Sequence, residues 1–463
     1  MEAFRQAVND GELEEGPTDD RKGSRHPRWV RVNTLKSSLE KQLLTTFAGY
    51  KKADDIGVVL SAPGSAKIYF EDANIPNLLA LPSRIDLSKS PAYTSGHIIL
   101  QDKASCFPAY LLDVTPDDGD VIDGCAAPGN KTTHLAAIAC EHKHTGKQQK
   151  VIAFERDKTR AVTLQKMVKL ASAEKLVKTK AGADFLASDP ESGEFALVGA
   201  ILLDPSCSGS GIVGRDDAIR MHLPEAAPES ASSANGSKGK KRKRDHAKSD
   251  TSEKDTTLSV ALDDSTPEET PTEDKTAERL IALSTFQLRI LTHAMRFPNA
   301  RKITYSTCSI HFAENEGVVA RALASPVAKE RGWCMLRREY QVEGLKKWGR
   351  RGVWEADKLE DDLGFSSEQE EDICESCIRC EKGTEEGTMG FFVAALVRDV
   401  AMEQAEAASN RVDAEDEEVW GGFSDDDDDA AAAAADVTEV ATQAVSPVAS
   451  KRSKKKRKKA GKT

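Results

Sequence analysis

Cys207 and Cys308 stand in two short loops, Asp204-Pro-Ser-Cys-Ser-Gly-Ser-Gly211 and Tyr305-Ser-Thr-Cys-Ser309, each following an apolar run that reads as a buried strand. A lone cysteine in that setting is usually a packed core thiol. Two of them, in glycine-, serine- and threonine-rich loops at strand ends, point instead to a cleft. Their chemistry suits carbon 5 of a pyrimidine, which is a poor nucleophile on its own. A thiolate that adds to carbon 6 makes the ring enamine-like, and carbon 5 can then attack a methyl sulfonium. A base must afterwards remove the carbon-5 proton, and a second thiolate can assist. Methylation of an amino nitrogen fits less well, because the loop after Asp204-Pro205 lacks the aromatic residue that would stack a flipped base.

A third loop, Asp123-Gly-Cys-Ala-Ala-Pro-Gly-Asn-Lys-Thr132, has glycines that let a ligand approach the backbone closely. Glu155, 26 residues beyond Gly129, is placed to bind the ribose hydroxyls of a nucleoside cofactor. The loop nearly matches a phosphate-binding P-loop, and Ile201-Leu-Leu-Asp204 resembles a strand that carries a magnesium-binding aspartate. Asn130, inserted between Gly129 and Lys131, breaks that match, because the lysine position is tightly specified in a phosphate cradle. A nucleoside without phosphates, such as S-adenosylmethionine, fits better.

These loops need elements to hold them, and the pattern supplies a strand–helix rhythm. Strands are expected at 121–122, 151–154, 197–203, 303–305 and 391–397, with another before Asp184. Helices are expected at 131–140, 157–171, 276–297 and 314–323. The helix at 276–297 carries Leu280, Leu283, Phe286, Ile290 and Ala294 at three- and four-residue steps. Near-continuous apolar strands alternating with helices predict an α/β, doubly wound, mainly parallel sheet. Ligands bind such sheets beyond the carboxyl ends of the strands, where all of these loops fall.

The chain has 463 residues, 39% hydrophobic and 30% charged, with a net charge of -11, which excludes a uniformly basic coat. No apolar run is long enough for a transmembrane helix, and the polar start has no signal-peptide core. The nine cysteines read as reduced thiols rather than a disulfide framework. The charge is concentrated in two segments. Residues 224–276 contain Lys240-Lys-Arg-Lys-Arg244 and no aromatic residue. Residues 399–463 are first acidic, including Asp425 to Asp429, and then basic from Lys451 onward. Both segments are expected to be disordered, because they cannot bury enough apolar surface to offset the entropy of ordering. The basic clusters fit a nuclear or nucleolar location and contact with RNA. The rest of the chain is near neutral, except for the basic stretch from Arg21 to Lys36. Within it, Arg28-Trp-Val-Arg-Val alternates like a strand. A basic strand bearing an aromatic suits single-stranded RNA, which makes Arg28, Arg31 and Lys36 candidate RNA contacts.

Taken together, the segments 123–132, 204–211 and 305–309 closely resemble the Sun (Fmu/Nop) family of RNA cytosine-5 methyltransferases, as does Glu314-Asn-Glu316. The resemblance runs from about Pro27 through Arg398, outside the insert. Asn130, where the family usually has glycine, together with Arg28 to Lys36 and His97-Ile-Ile-Leu-Gln-Asp-Lys103, is most like the eukaryotic branch acting on large-subunit ribosomal RNA. The resemblance implies a Rossmann-like class I methyltransferase fold with a small N-terminal α+β RNA-binding piece. It implies Cys308 as the nucleophile on carbon 6, Cys207 as the residue for product release, and Asp204 and Lys131 at the target base. It implies that Cys125, Ala126, Ala127, Pro128, Gly129, Asn130 and Lys131 wrap S-adenosylmethionine. Glu155, Arg160, Asp184 and Asp204 would complete that site. The expected organisation is a disordered or truncated 1–26, an RNA-binding piece at 27–110, a catalytic domain at 111–398 and a tail. The expected partner is large-subunit ribosomal RNA in pre-ribosomes, with no membrane, no resident metal and a monomeric state. A ribosome-assembly scaffold without catalysis and a transfer-RNA enzyme of the same chemistry are the alternatives.

Three weaker signals remain. Cys374-x2-Cys377-x2-Cys380 has metal-like spacing but no clear fourth ligand. His134 and His311 flank the active loops and read as helix-start or supporting residues. Lys346-Lys-Trp-Gly-Arg-Arg351 reads either as an RNA-phosphate contact or as an exposed turn.

Overall fold

The computed structural model describes residues 26–141, 149–212, 273–359 and 363–398. The tail, nearly all of the insert and residues 1–25 lie outside the described residues, and so do the expectations placed on them.

The N-terminal part is a five-stranded sheet in the order β2-β3-β4-β1-β5. Its strands are β1 (Arg28–Val32), β2 (Lys51–Lys52), β3 (Ile68–Glu71), β4 (Leu78–Leu81) and β5 (Ile98–Leu100), with short helices α1 (Leu39–Leu44) and α2 (Ile56–Ser61). Ser38 and Asp55 cap these helices by accepting from Lys41 N and Gly57 N, the usual role of such side chains at orphan amides. Strand β1 lies between β4 and β5 and pairs antiparallel with both. Its alternation sends Trp29 into a core shared with the catalytic part and Val30 into the sheet's own core with Phe47, Leu79 and Leu81.

That placement corrects the RNA-contact expectation for Arg31. Alternation shows which side chains share a face, not what covers the face. Arg31 is 1% exposed, and its Nε donates to Gln101 Oε1 at 2.7 Å. Its NH2 donates to Thr133 Oγ1 at 3.1 Å and Asn130 O at 3.4 Å. Burial brings its pKa down to about 10. Arg31 therefore ties β1 to the helix that follows the cofactor loop. The Lys36 ammonium is likewise engaged, on Ser95 O at 2.6 Å and Leu170 O at 3.3 Å. Arg28 is half-buried and donates to Ser83 O.

Helix α3 (Lys103–Leu112) leads into an eight-stranded sheet. Its strands are β6 (Asp120–Asp123), β7 (Val151–Glu155), β8 (Val177–Ala181), β9 (Val198–Leu203), β10 (Lys302–Thr307), β11 (Trp333–Met335), β12 (Ile378–Cys380) and β13 (Phe391–Arg398). The order is β11-β13-β10-β9-β6-β7-β8, with β12 also pairing β13. Strands β8, β7, β6, β9 and β10 run parallel, and β13 is antiparallel to β10 and β11. Every residue of β7 and β9 is buried, as expected for strands covered on both faces. The order reverses at β6, so the crevice beyond its carboxyl end is where this architecture binds ligands. This is the doubly wound, mainly parallel sheet that the strand–helix rhythm predicts.

Helices α4 (Asn130–Glu141), α5 (Lys158–Leu170), α6 (Glu273–Ala294), α7 (Glu316–Ala324) and α8 (Ser367–Ser376) complete the layers. Helix α6 begins three residues earlier than its apolar pattern suggests. Its inner face also includes polar Ser284 and Gln287, both buried.

The two sheets share one core in which Trp29 and Leu78 meet Phe107, Trp348, Phe391 and Val393. Lys103 is buried there, bonded to Asp72 at 2.5 Å and lying over the rings of Trp29 and Trp348. Such pairing is what makes a buried charge tolerable. Three residues of the basic run 346–351 are engaged in the fold: Trp348 Nε1 donates to Arg379 O, Arg350 pairs with Glu381 and Glu386, and Arg351 donates to Gln341 and two backbone carbonyls, while Lys347 stays exposed. Among the described residues, no helix is long and apolar enough to cross a membrane.

Candidate active site

Three loops beyond β6, β9 and β10 converge. The loops after β9 and β10 are joined through their backbones: Gly211 N donates to Cys308 O at 2.9 Å, and Gly390 N, just before β13, donates to Gly211 O at 3.0 Å. Gly211 has to be glycine, because a Cβ there would lie 2.3 Å from Gly390 O. This close stitching brings Cys207 Sγ within 3.1 Å of Cys308 Sγ.

The two thiols are pushed in opposite directions. The hydrogen bond from Cys207 holds the Cys308 thiol below its ordinary range against the effect of burial, and Lys131 adds to that lowering. The same hydrogen bond to Cys308, followed by burial, pushes Cys207 far up. Of the two thiols, Cys308 is therefore the more easily ionised, and the Cys207 S–H is placed to donate to its thiolate. The thiolate is the reactive form of cysteine.

Lys131, at the start of α4, reaches into the same space. Its Nζ lies 2.7 Å from Asp204 Oδ2 and 3.1 Å from Ser105 Oγ, and 5.3 Å over the Phe391 ring. Burial pulls its pKa down, and Asp204 more than reverses that, so the ammonium stays charged. Asp204 also accepts from Ser306 Oγ at 2.7 Å. Four of the sequence-derived candidates thus form two bonded pairs, Cys207–Cys308 and Lys131–Asp204, with the second acting electrostatically on Cys308.

The cofactor candidates lie beside it. Gly129 has φ of +113°, a backbone region open to glycine, and it lets the chain turn from the loop into α4. Ala126 N donates to Phe154 O at 2.9 Å, which holds the loop against β7. Asp123 is fully buried, accepts from Thr132 Oγ1 at 2.7 Å and is pushed up to about 7, chiefly by burial. Cys125 beside it is raised by burial too, which makes it an inert thiol. Glu155 accepts from Asp157 N at 2.9 Å and lies 3.6 Å from Arg160 NH1. Arg160 NH2 donates to Ala127 O at 2.8 Å, so Arg160 braces the loop from outside. Asp184 caps the next turn through Leu186 N and lies 4.0 Å from Arg156.

This donor set favours a cationic nucleoside over a polyphosphate. Asp123, Glu155, Asp184 and Asp204 are carboxyl groups around the crevice, and the one loop lysine is committed to Asp204 rather than left for phosphates. A sulfonium-bearing cofactor such as S-adenosylmethionine fits, with the loop 125–131 and Glu155 to hold it.

Other signals resolve differently. His134 lies inside α4, buried, and burial with Arg31 nearby holds it far below its ordinary range, so it is a neutral packing residue. His311 starts the turn at Phe312–Glu314. Cys377 and Cys380 are buried in two different cores and Cys374 lies on α8. Among the described residues, no cluster of three or more histidine, cysteine or acidic side chains could hold a metal.

Glu314, Asn315 and Glu316 are fully buried and were not expected to act on the site. Asn315 accepts from Thr307 Oγ1 and donates to Ser309 O at 2.9 Å, holding both neighbours of Cys308. Glu316 makes a two-pronged pair with Arg379, whose NH1 donates to Ile310 O. The signal that could have marked them was already in the sequence: the Glu314-Asn-Glu316 segment close after the Cys308 loop resembles the family, but no role was attached to it.

Two family models match the chain. The first, described as 16S rRNA methyltransferase RsmB/F, covers residues 109–231. The second, described as the ferredoxin-like domain of NOL1/NOP2/Sun domain family member 5, covers residues 26–101. The chain is 37% identical over 371 residues to the 25S rRNA (cytosine-C(5))-methyltransferase rcm1 of Schizosaccharomyces pombe, covering 80% of this chain and 63% of that one. It is 36% identical over 301 residues to the 28S rRNA (cytosine-C(5))-methyltransferase of Mus musculus, covering 64% and 52%. It is 32% identical over 347 residues to the 25S rRNA (cytosine-C(5))-methyltransferase NSUN5 of Arabidopsis thaliana, covering 74% and 48%. The chain thus spans between about half and just under two thirds of the length of these relatives.

Proposed function

The chain belongs to the Sun family of RNA cytosine-5 methyltransferases and is most like its eukaryotic large-subunit branch, and from that premise we propose that it methylates carbon 5 of a cytosine in large-subunit ribosomal RNA. The observation that carries the chemistry is the Cys207–Cys308 pair at 3.1 Å with opposed thiol shifts. S-adenosylmethionine, when bound by the loop 125–131 with Glu155, Arg160, Asp184 and Asp204 around it, supplies the electrophilic methyl group.

In this reading the Cys308 thiolate forms a bond to carbon 6, and the electron pair of the 5,6 double bond becomes available at carbon 5. Lys131, beside the thiolate and paired with Asp204, faces the charge that develops on the ring, where a preorganised ammonium is most effective. Once Cys308 is a thioether it no longer accepts a proton from Cys207. The largest cause that raises Cys207 is then gone, while burial still raises it; the form that acts as base is Cys207 after it has given its proton to solvent. The new thiolate takes the carbon-5 proton of the methylated adduct, the double bond re-forms, and the carbon 6–sulfur bond breaks. Cys308 leaves as the thiolate and Cys207 is again the thiol. Bond formation at one cysteine therefore arms the other, and the pair returns to its starting state with one proton released overall.

Residues 27–110 would guide RNA and residues 111–398 would carry out the transfer, in pre-ribosomes of the nucleolus. Bisulfite sequencing of ribosomal RNA from cells carrying Cys308→Ala tests the activity: a large-subunit cytosine should lose its methyl group. Full methylation at every site would reject it. Calorimetry with S-adenosylmethionine separates the enzyme from a scaffold without catalysis, which would bind none.

A further inference from the structure

We propose that Gln287 and Glu314 are positioning residues for Cys207, and that they govern product release rather than attack on the base. The inference rests on the reading of Cys207 as the releasing base.

The argument starts from Gln287, which interrupts the apolar face of α6. It is fully buried. Its Nε2 donates to Ser206 O at 3.0 Å and to Glu314 Oε1 at 2.9 Å. Glu314 Oε1 also accepts from Ser208 N at 2.9 Å. The carbonyl of Ser206 and the amide of Ser208 belong to the two peptide groups that flank Cys207. Both are therefore gripped from behind by one buried amide–carboxylate pair. A buried carboxylate is costly unless hydrogen bonds use it, and Oε1 of this one accepts from both Ser208 N and Gln287 Nε2.

The adjacent residue does the equivalent for the other thiol. Asn315 bonds Thr307 and Ser309, the two neighbours of Cys308, and Tyr305 Oη donates to Glu314 O at 2.6 Å. One short turn thus holds both loops, with Glu314 directed to Cys207 and Asn315 to Cys308. The division predicts that the two kinds of substitution fail at different steps. Without the Gln287–Glu314 grip, the Ser206–Ser208 segment can relax and Cys207 moves away from the carbon-5 proton. Attack by Cys308 does not use that contact, and it feels the change only through a weaker hydrogen bond from Cys207, which moves its onset to higher pH and is saturated by working above that onset.

The test uses the full chain with S-adenosylmethionine and a large-subunit RNA fragment, under single-turnover conditions. Denaturing gels measure covalent RNA adduct, and recovered RNA is assayed for methyl transfer. Thermal unfolding checks that each variant is folded. Gln287→Met and Glu314→Met should accumulate adduct by about tenfold over the unsubstituted chain, as Cys207→Ala does, while methyl transfer into RNA stays within about threefold, and the conservative Glu314→Gln, whose amide oxygen still accepts both bonds, should stay close to the unsubstituted chain. Asn315→Ala should instead reduce adduct and transfer together. Folded Gln287→Met and Glu314→Met proteins with no adduct and normal turnover would overturn the proposal, and so would variants that lose attack and release in parallel above the pH at which attack sets in. Absence of adduct in Cys207→Ala itself would remove the premise about Cys207, a result separable from failure of the Gln287 and Glu314 variants alone.

Discussion

Cys308 and Cys374 are both half-buried thiols, yet their environments push them in opposite directions. Cys308 has the Cys207 thiol 3.1 Å away and the Lys131 ammonium nearby, and the hydrogen bond with Cys207, aided by Lys131, lowers its thiol against burial and Asp204. Cys374 lies on α8 near Glu316, Glu370 and Glu375; burial first and these carboxylates next push it up to about 12. Burial raises Cys377 and Cys380 well above the ordinary range as well. Residue type is the same in all of them. What makes a nucleophile here is a hydrogen-bond donor and a fixed cation at the end of a strand, and what makes an inert thiol is apolar packing beside like charge.

The largest effect should come from exchanging the roles of the two groups. Cys308→Ala is expected to lower turnover by at least about 10³-fold, because no other group can form the bond to carbon 6. Cys374→Ala should leave turnover within about twofold, the ordinary consequence of a change away from the reacting atoms. A Cys308→Ala protein that still methylates would break the comparison at its centre.

Cys207→Ala probes the coupling within the reactive pair. Turnover should fall by about 10²-fold, the scale of losing a positioned base, with adduct trapped on Cys308. The variant also removes the donor that lowers Cys308. Its thiol pKa should rise, so the thiolate is less populated at a given pH, and the rise of adduct formation should move to higher pH. Cys207→Ser keeps an O–H donor and should shift the profile less. A pH profile of adduct formation unchanged in Cys207→Ala would show that Lys131 alone lowers Cys308.

A smaller contrast is chemical labelling of the unsubstituted protein. Brief iodoacetamide treatment at neutral pH, followed by peptide mass spectrometry, should modify Cys308 about tenfold or more faster than Cys374, since only thiolate reacts. Cys377 and Cys380 should react only after denaturation. Equal labelling of Cys308 and Cys374 would mean that exposure, not the local field, decides reactivity.

The reactive pair was legible because a continuous apolar strand such as Val198–Leu203 announces its own end, and Asp204 to Gly211 begins there. The cofactor loop was legible for the same reason after Asp120–Asp123. Glu314 and Asn315 stood out only as part of a family-like segment with no role attached, and Gln287 not at all, because each acts through buried hydrogen bonds that the pattern of residues does not display. Arg31 was misread for a related reason. A basic residue on an alternating strand looks exposed until the second sheet face is found covered by Thr133, Gln101 and the shared core. The three-residue spacing of Cys374, Cys377 and Cys380 looked like a ligand set, but it crosses the boundary from α8 to β12. There the chain changes its period, and side chains that share a face in one element part company in the next.

That change of period sets the last and smallest prediction. Cys377 packs with Ile373 and Phe392 in the core under the catalytic sheet, while Cys380 packs with Trp29 and Phe391 in the core shared with the N-terminal sheet. Cys377→Ala and Cys380→Ala should each cost about 1–2 kcal/mol of stability, as modest losses of buried packing do. Thermal unfolding would measure that cost, and a chelator should not add to it. Their effects on turnover should differ slightly. Cys380 pairs across the ladder with Phe391, whose ring lies under the Lys131 ammonium, whereas Cys377 has no such route to the reacting groups. Cys380→Ala should therefore reduce turnover by up to about threefold at temperatures well below unfolding, and Cys377→Ala by less. If Cys377→Ala were the more damaging of the two in a folded protein, the separation between packing thiols and reactive thiols would be drawn in the wrong place.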